Sequence, residues 1–339
     1  PLARAILANH IIWLQRFPAH FAPFRRIMWV SAKSGWLYDR PMDDFTTSFG
    51  RAELLALASS VLFAGTLVCL RQGMKSGTPL SAVLMINSVV SAGGMIGALY
   101  KGTLWNLTAA PFLWFVAMGL VGPGIGSISR MVAVVRMGLS PSTLVASSTP
   151  IWAVLLAVSV LGEALSAKVV LGTFCIVGGV SLMVFEREKS GPNFKNWFRT
   201  ALVFPIMSSI AYAVAPIFTK LAYGHQLTPM LGLGIAFGVG NVLLLAAKPL
   251  LPGGGRIHSP RASTAWFFLG GIFNLSAAIC FMTALTIGNV SSILPASRIT
   301  PLWVLLFSSI FLRRLERVTL LLCLAAALAV AGGVMITVR

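Results

Sequence analysis

The sequence predicts an all-α polytopic membrane protein, with ten transmembrane helices arranged as two inverted five-helix repeats. Three observations lead there. The 339 residues are 57% hydrophobic and only 10% charged, with a mean hydropathy of +0.87, more than a soluble core requires. The apolar residues gather into ten long runs. Finally, Thr149-Pro150-Ile151-Trp152 returns as Thr300-Pro301-Leu302-Trp303, so one membrane domain is written twice.

The runs fall at about 52–74, 79–100, 110–137, 141–162 and 167–185, then 199–222, 228–248, 263–287, 290–312 and 318–338. A helix rising ~1.5 Å per residue needs ~20 residues to cross ~30 Å of hydrocarbon, and the runs meet that length. They are too long for barrel strands and do not alternate, so helices are what satisfies their backbone in lipid.

Residues 1–51 behave differently, holding seven of the 26 Lys and Arg and three of the nine Trp. Their short apolar patches, such as Ile11-Ile12-Trp13-Leu14, are broken by Arg and Pro, and form neither a span nor a secretory leader. This extension is expected to be disordered or to precede a natural start near Met42; a lipid-surface segment or a transit peptide are the alternatives. The expected division is an extension over 1–51, a first repeat over 52–186, a loop over 187–198 and a second repeat over 199–339.

The net charge of +18 is scattered through short loops and the extension. It forms no basic stripe with interleaved aromatics, which argues against nucleic acid as a partner and for anionic lipid headgroups. Setting the extension aside, the loops of the two membrane faces hold four and thirteen cations; adding the extension's seven to the smaller group nearly levels them and leaves orientation open. Cys69, Cys175, Cys280 and Cys323 lie within spans without Cys-x-x-Cys or metal-ligand spacing, so no metal is expected.

The duplication extends well beyond four residues. Ser59-Ser60 aligns with Ser208-Ser209, Arg71 with Lys220, Thr78-Pro79 with Thr228-Pro229, Met131-Val132-Ala133 with Met282-Thr283-Ala284, and Gly178-Gly179-Val180 with Gly332-Gly333-Val334; the offset stays between 149 and 154. An odd number of spans per half inverts the second half relative to the first. Two such bundles have two related packings, one open to each side, as secondary transporters require.

On these blocks, with Val160-Leu161-Gly162-Glu163-Ala164-Leu165 after the fourth span and Gly172 to Leu182 in the fifth, the chain resembles the drug/metabolite transporter superfamily of EamA type. The resemblance covers residues 52–338. It implies a carrier, without a bound cofactor, for amino acids, metabolites, nucleobase-like compounds or drugs through a central cavity. The implied location is a bacterial inner membrane, with an organelle membrane as the alternative. One departure stands out: Leu312-Arg313-Arg314-Leu315-Glu316 replaces the Leu-Gly-Glu block in the second half.

Proline within an apolar helix removes a backbone bond, so Pro150 and Pro301 are expected hinges, and Gly122-Pro123-Gly124 is expected to unwind an overlong third span. Gly93 with Gly97, Gly122 with Gly126 and Gly234 with Gly238 have the spacing of close helix contacts. All eight acids lie outside the spans or within a turn of their ends, which argues against a proton relay on a central carboxylate. Glu163 is expected to face the start of the fifth helix or to pair with Lys168.

Arg130 and Arg298 are the deepest cations, and by span counting they approach opposite faces. They either snorkel to headgroups or hold a carboxylate or phosphate in the cavity. Ser60, Asn87, Thr149, Asn274 and Thr300 are candidate hydrogen-bonding groups, and Phe63, Trp152, Tyr212 and Trp303 candidate stacking groups. Interhelical packing or interface anchoring is the competing role for each. A membrane enzyme would need converging acids, His or Cys at a span end, which the sequence lacks. The expected function is an exporter of small organic metabolites or amino acids; the alternative is an antiporter of organic phosphates or nucleotide sugars.

Overall fold

The computed structural model describes residues 45–137, 142, 145–164, 166–188, 202–251, 255–300, 302–303 and 320–337. Among them every regular element is helical: α1 Phe45–Gly73, α2 Pro79–Tyr100, α3 Ala109–Gly119, a π-helical turn Leu120–Gly126, and α4 Ser127–Met137. There follow α5 Thr149–Leu161, α6 Ala167–Glu188, α7 Val203–Tyr223, α8 Pro229–Ala246, a short 3-10 turn Lys248–Leu250, α9 Arg261–Ile287, α10 Val290–Ser297 and α11 Leu320–Thr337. Among the described residues six helical segments are long and apolar enough to cross a membrane: Arg51–Gly73, Pro79–Tyr100, Ala109–Arg136, Val203–Tyr223, Pro229–Ala246 and Arg261–Ile287. The chain divides into Pro1–Thr47 and Ser48–Arg339. Beyond the first residues of α1, all of these helices belong to the second unit. The expectations for residues 1–44, Pro301 and 312–316 lie outside the described residues.

The local sequence explains where the helices start. Pro79 and Pro229 open α2 and α8 directly after Thr78 and Thr228, where a missing N–H costs nothing because the first turn has no acceptor for it. Ala109 to Arg136 is one continuous span, interrupted only by the π-helical turn around Pro123. Gly122-Pro123-Gly124 therefore widens the helix and does not unwind it, because a π turn absorbs the proline without exposing backbone to lipid.

Corresponding helices of the two repeats pack against each other in antiparallel directions. Along α2 and α8, Gly97 faces Met230, Gly94 faces Gly234, and Gly238 faces Ser91. A Cβ on Gly94 would lie 2.5 Å from the Gly234 nitrogen, so only glycine lets the backbones approach this closely. Two hydrogen bonds cross the same seam: Ser91 Oγ donates to the Gly234 carbonyl at 2.7 Å, and Asn241 Nδ2 to the Leu84 carbonyl at 3.2 Å. The repeat offset relates Ser91 to Asn241 and Leu84 to Gly234, so each bond is the other with the halves exchanged. Such bonds contribute only about 0.6 kcal/mol on average in membranes, so close packing does more to hold the seam together. Helices α6 and α11 repeat the arrangement, with Gly172 against Gly332 and Ile336, and Gly179 against Ala325 and Ala329.

The exchange holds for the other neighbours too. Helix α9 runs antiparallel to α1, with Gly270 on Cys69, Phe273 on Gly65 and Phe267 on Gly73. Its counterpart in the first half, the α3–α4 span, runs antiparallel to α7, with Thr219 bonded to Met118, Gly122 on Ala215 and Gly126 on Tyr212. Parallel contacts also come in related pairs: Gly119 meets Ala236, while Gly270 meets Ile86. A central apolar cluster including Phe115, Leu233, Ala236, Leu285, Ile293 and Leu294 draws on both halves. Gly122 and Gly124, expected as hinge residues, press on Ala215 and Leu243 and act first as packing surfaces.

Candidate substrate-binding site

Two spans are broken at equivalent points. In the fourth, the chain turns at Ser147 and Ser148 before α5 begins at Thr149; in the ninth, α10 ends at Ser297, and the chain turns at Arg298 and Ile299 before a helical turn resumes at Thr300. The cause lies in the Thr-Pro pairs. Pro150 has no N–H to offer the Ala146 carbonyl one turn back, and Thr149 Oγ1 donates to that carbonyl instead, at 2.6 Å. Thr300 Oγ1 likewise donates to the Ser297 carbonyl, at 3.1 Å. Thr149 thus supplies the donor that Pro150 lacks, in a setting where an open carbonyl costs ~1–3 kcal/mol. Both side chains are buried, and their hydroxyl protons go to the backbone.

The breaks carry a polar network that joins the halves. Trp152 Nε1 donates to Ser148 Oγ at 3.3 Å, and Ser148 and Thr149 share hydrogen bonds with Ser209 of α7 at 3.0 and 3.1 Å. Ser148 already donates to the Val145 carbonyl, so the single proton of Ser209 serves both neighbours. In the other half Trp303 Nε1 donates directly to Ser60 Oγ of α1 at 2.9 Å.

Arg298, at the second break, places its guanidinium 6.0 Å from the centre of the Tyr212 ring, in cation–π range. The Tyr212 hydroxyl shares a 2.9 Å hydrogen bond with Ser127 at the start of α4. Arg130 stands one turn further along α4 and lines a cleft with Pro205 and Ser208 of α7. Span counting puts the two arginines toward opposite faces; the structure brings them into one cluster. The third span is 28 residues long and overruns the bilayer, so counting inward from its end misplaces Arg130. Its Ser127 is level with Tyr212, near the middle of α7. Beside Arg130 lies a narrow cleft lined by Ala133, Ser142, Ala146, Pro205 and Ser208, with room for little more than a water molecule.

A model of the EamA-like transporter family matches residues 50–185 and again residues 199–338. The chain belongs to the EamA-like transporter family. Members of this family are membrane transporters of the drug/metabolite type, and this chain carries two copies of the matched unit. No curated protein sequence matches the chain. Among 29 matching chains of solved structures, one crystal structure superposes with a TM-score of 0.70 at 17% identity, over 84% of this chain and 95% of its own. At that identity the likeness concerns the fold alone.

In this EamA-like transporter the Leu-Gly-Glu block has a distinct structural task. Gly162 ends α5 in the left-handed conformation, with φ 67°, which glycine adopts without strain. Glu163 then turns onto the start of α10, where its two carboxylate oxygens accept the Val290 and Ser291 backbone N–H groups, each at 2.9 Å. It caps the helix of the other repeat and not, as expected, its own following helix or Lys168. The positive end of a helix attracts a carboxylate, and crossing between repeats satisfies two donors that no neighbour in sequence reaches.

Of the expected site residues, the geometry assembles Arg130, Arg298, Tyr212, Thr149 and Trp152 with Ser127, Ser148 and Ser209, and pairs Ser60 with Trp303 beside Thr300. Asn87 is buried and its Nδ2 has no hydrogen-bond partner. Phe63 and Asn274 are half-buried, and among the described residues no hydrogen bond or ring contact joins them to the cluster. Ser127, Ser148 and Ser209 were not named as site residues from the sequence; of these only Ser209 carried a signal, its alignment with Ser60.

Proposed function

We propose that this transporter is a secondary-active carrier, an exporter of small organic metabolites or amino acids, working by alternating access between two inverted repeats of five helices each. The observation that carries this reading is the antiparallel packing of corresponding helices around one polar cluster. Two such halves can rock between two related arrangements about a fixed site. The breaks before Thr149 and Thr300 support it, because a helix interrupted mid-membrane can bend at that point and expose polar groups to a cavity. The Glu163 cap on α10 is a contact between halves of the kind that closes one side. The narrow cleft at Arg130 fits a closed arrangement of the same cavity.

On this reading the chain spans a bacterial inner membrane ten times and uses neither a cofactor nor a catalytic group. The test is purified protein in liposomes loaded with a mixed metabolite pool, with protein-dependent efflux identified by mass spectrometry. Efflux of a defined subset supports the carrier; failure of any solute to move under any gradient refutes it.

A further inference from the structure

We infer that Arg130 and Arg298 form an anion site that takes the carboxylate or phosphate group of the transported solute. The inference rests on the carrier reading and narrows its substrate class. Four observations meet at this place.

First, Arg298 leaves the chain at a helix break, eight residues beyond Val290 at the start of α10, or ~12 Å along the helix. A long side chain near a helix end reaches headgroups; this one lies over Tyr212 of α7, and its Nε is enclosed without a hydrogen-bond partner. A buried guanidinium N–H left open is costly and marks an acceptor that arrives from elsewhere. Second, Arg130 brings a second positive charge to the same stretch of α7: it stands one turn along α4 from the Ser127 that bonds Tyr212, and it lines a cleft with Ser208. Like charges repel strongly in a medium of low dielectric, and an anion between them turns that repulsion into attraction.

Third, among the described residues no ion pair joins Arg130 or Arg298 to a carboxylate. Glu163 is engaged with the start of α10, Glu53 lies near the start of α1, and Glu186 and Glu188 are at the far end of α6. Fourth, Tyr212 and Ser127 have two hydroxyl protons and use one between them, which leaves one O–H to donate to an oxyanion. Two planar forks and a hydroxyl match a carboxylate or phosphate, and two positive charges side by side disfavour a cation. A phospholipid headgroup offers the same phosphate chemistry, so the experiment separates the two sources.

Wild type, Arg298→Gln, Arg130→Gln and Arg298→Lys are reconstituted in liposomes, and flux is compared for inorganic phosphate, small mono- and dicarboxylates, amino acids, neutral sugars and quaternary ammonium ions. The expected result is wild-type flux confined to solutes bearing a carboxylate or phosphate, with either Gln variant losing roughly tenfold or more, the loss of one charge-assisted contact. Lysine does not restore the rate, because it lacks the fork. Binding is read separately as thermal stabilisation of the detergent-purified protein by the same anion, present in wild type and lost in variants that unfold within a few degrees of it. Wild-type flux of only neutral or cationic solutes, unchanged anion flux and binding in both Gln variants, or a phospholipid that co-purifies with wild type and not with the variants each overturns the proposal. If no solute moves at all, the carrier reading fails, and the thermal shift with the same anions still decides whether the site exists.

Discussion

Trp303 donates its indole N–H to Ser60 at 2.9 Å, whereas the equivalent Trp152 reaches the equivalent Ser209 only through Ser148. The difference follows from one residue. Ile299 occupies the place of Ser148 in the second repeat, so no hydroxyl intercepts the Trp303 indole. Each broken helix is therefore held to the opposite repeat by a different bond, which makes the two halves related but unequal.

Replacing Ser60 by Ala removes the acceptor of Trp303 and lowers stability by about 1 kcal/mol, the net worth of a typical hydrogen bond. Ser148→Ala removes the longer, 3.3 Å bond of the exposed Trp152 indole and leaves Ser209 bonded to Thr149, so it costs less. Thermal unfolding of the two purified variants measures the difference; equal losses would contradict the asymmetry.

Thr149→Val keeps the shape of the side chain but opens the Ala146 carbonyl opposite Pro150. The expected cost is about 1–3 kcal/mol, that of a buried polar group without a partner. Thr149→Ser retains the donor and stays near wild type. Chemical denaturation of the reconstituted protein reads both, and a serine variant as weak as the valine variant would mean that the methyl group, not the hydroxyl, matters.

Glu163→Ala uncovers the Val290 and Ser291 N–H groups, while Glu163→Gln keeps one carbonyl acceptor and loses the charge. Hydrogen exchange in a peptide covering 288–295 is expected to speed up in the order wild type, Gln, Ala, by about 1.5–3 kcal/mol per charge-assisted bond lost. Transport rates should change with it if this cap closes one side of the carrier. Unchanged exchange in Glu163→Ala would show that the cap does not hold α10.

Gly179→Ala and Gly178→Ala form a matched pair on α6. A Cβ at Gly179 would sit 2.6 Å from the Ala325 carbonyl oxygen and 2.7 Å from the Ala329 nitrogen, whereas at Gly178 the nearest atom is 3.6 Å away. The first is expected to drive α6 and α11 apart and destabilise by about 1–3 kcal/mol; the second is neutral or slightly stabilising through its helix preference. Equal unfolding temperatures for the two would overturn the close packing of these helices.

The sequence made the helical class, the duplicated unit and the Thr-Pro breaks legible, because apolar length and a steady offset are one-dimensional signals. Ser209 could be found from Ser60 for the same reason. The Arg130–Arg298 proximity could not, since depth in a 28-residue span depends on how far it overruns the bilayer. Nor could the Glu163 cap on α10, where the partners are 127 and 128 residues away and are backbone groups without a side-chain signature. In the close crossing of Gly94 on Gly234, spacing alone picks out Gly234 but misses Gly94, because the partner helix decides which face is used.

If two inverted halves alternate around one site, the carrier shows trans-acceleration. Liposomes are loaded with a labelled solute that the protein exports, and efflux is followed with and without the same unlabelled solute outside. An alternating carrier returns faster with solute bound, so the account predicts efflux that saturates with internal concentration and speeds up several-fold on external addition. Efflux that rises linearly with concentration and ignores external solute would contradict it and indicate a continuous pore.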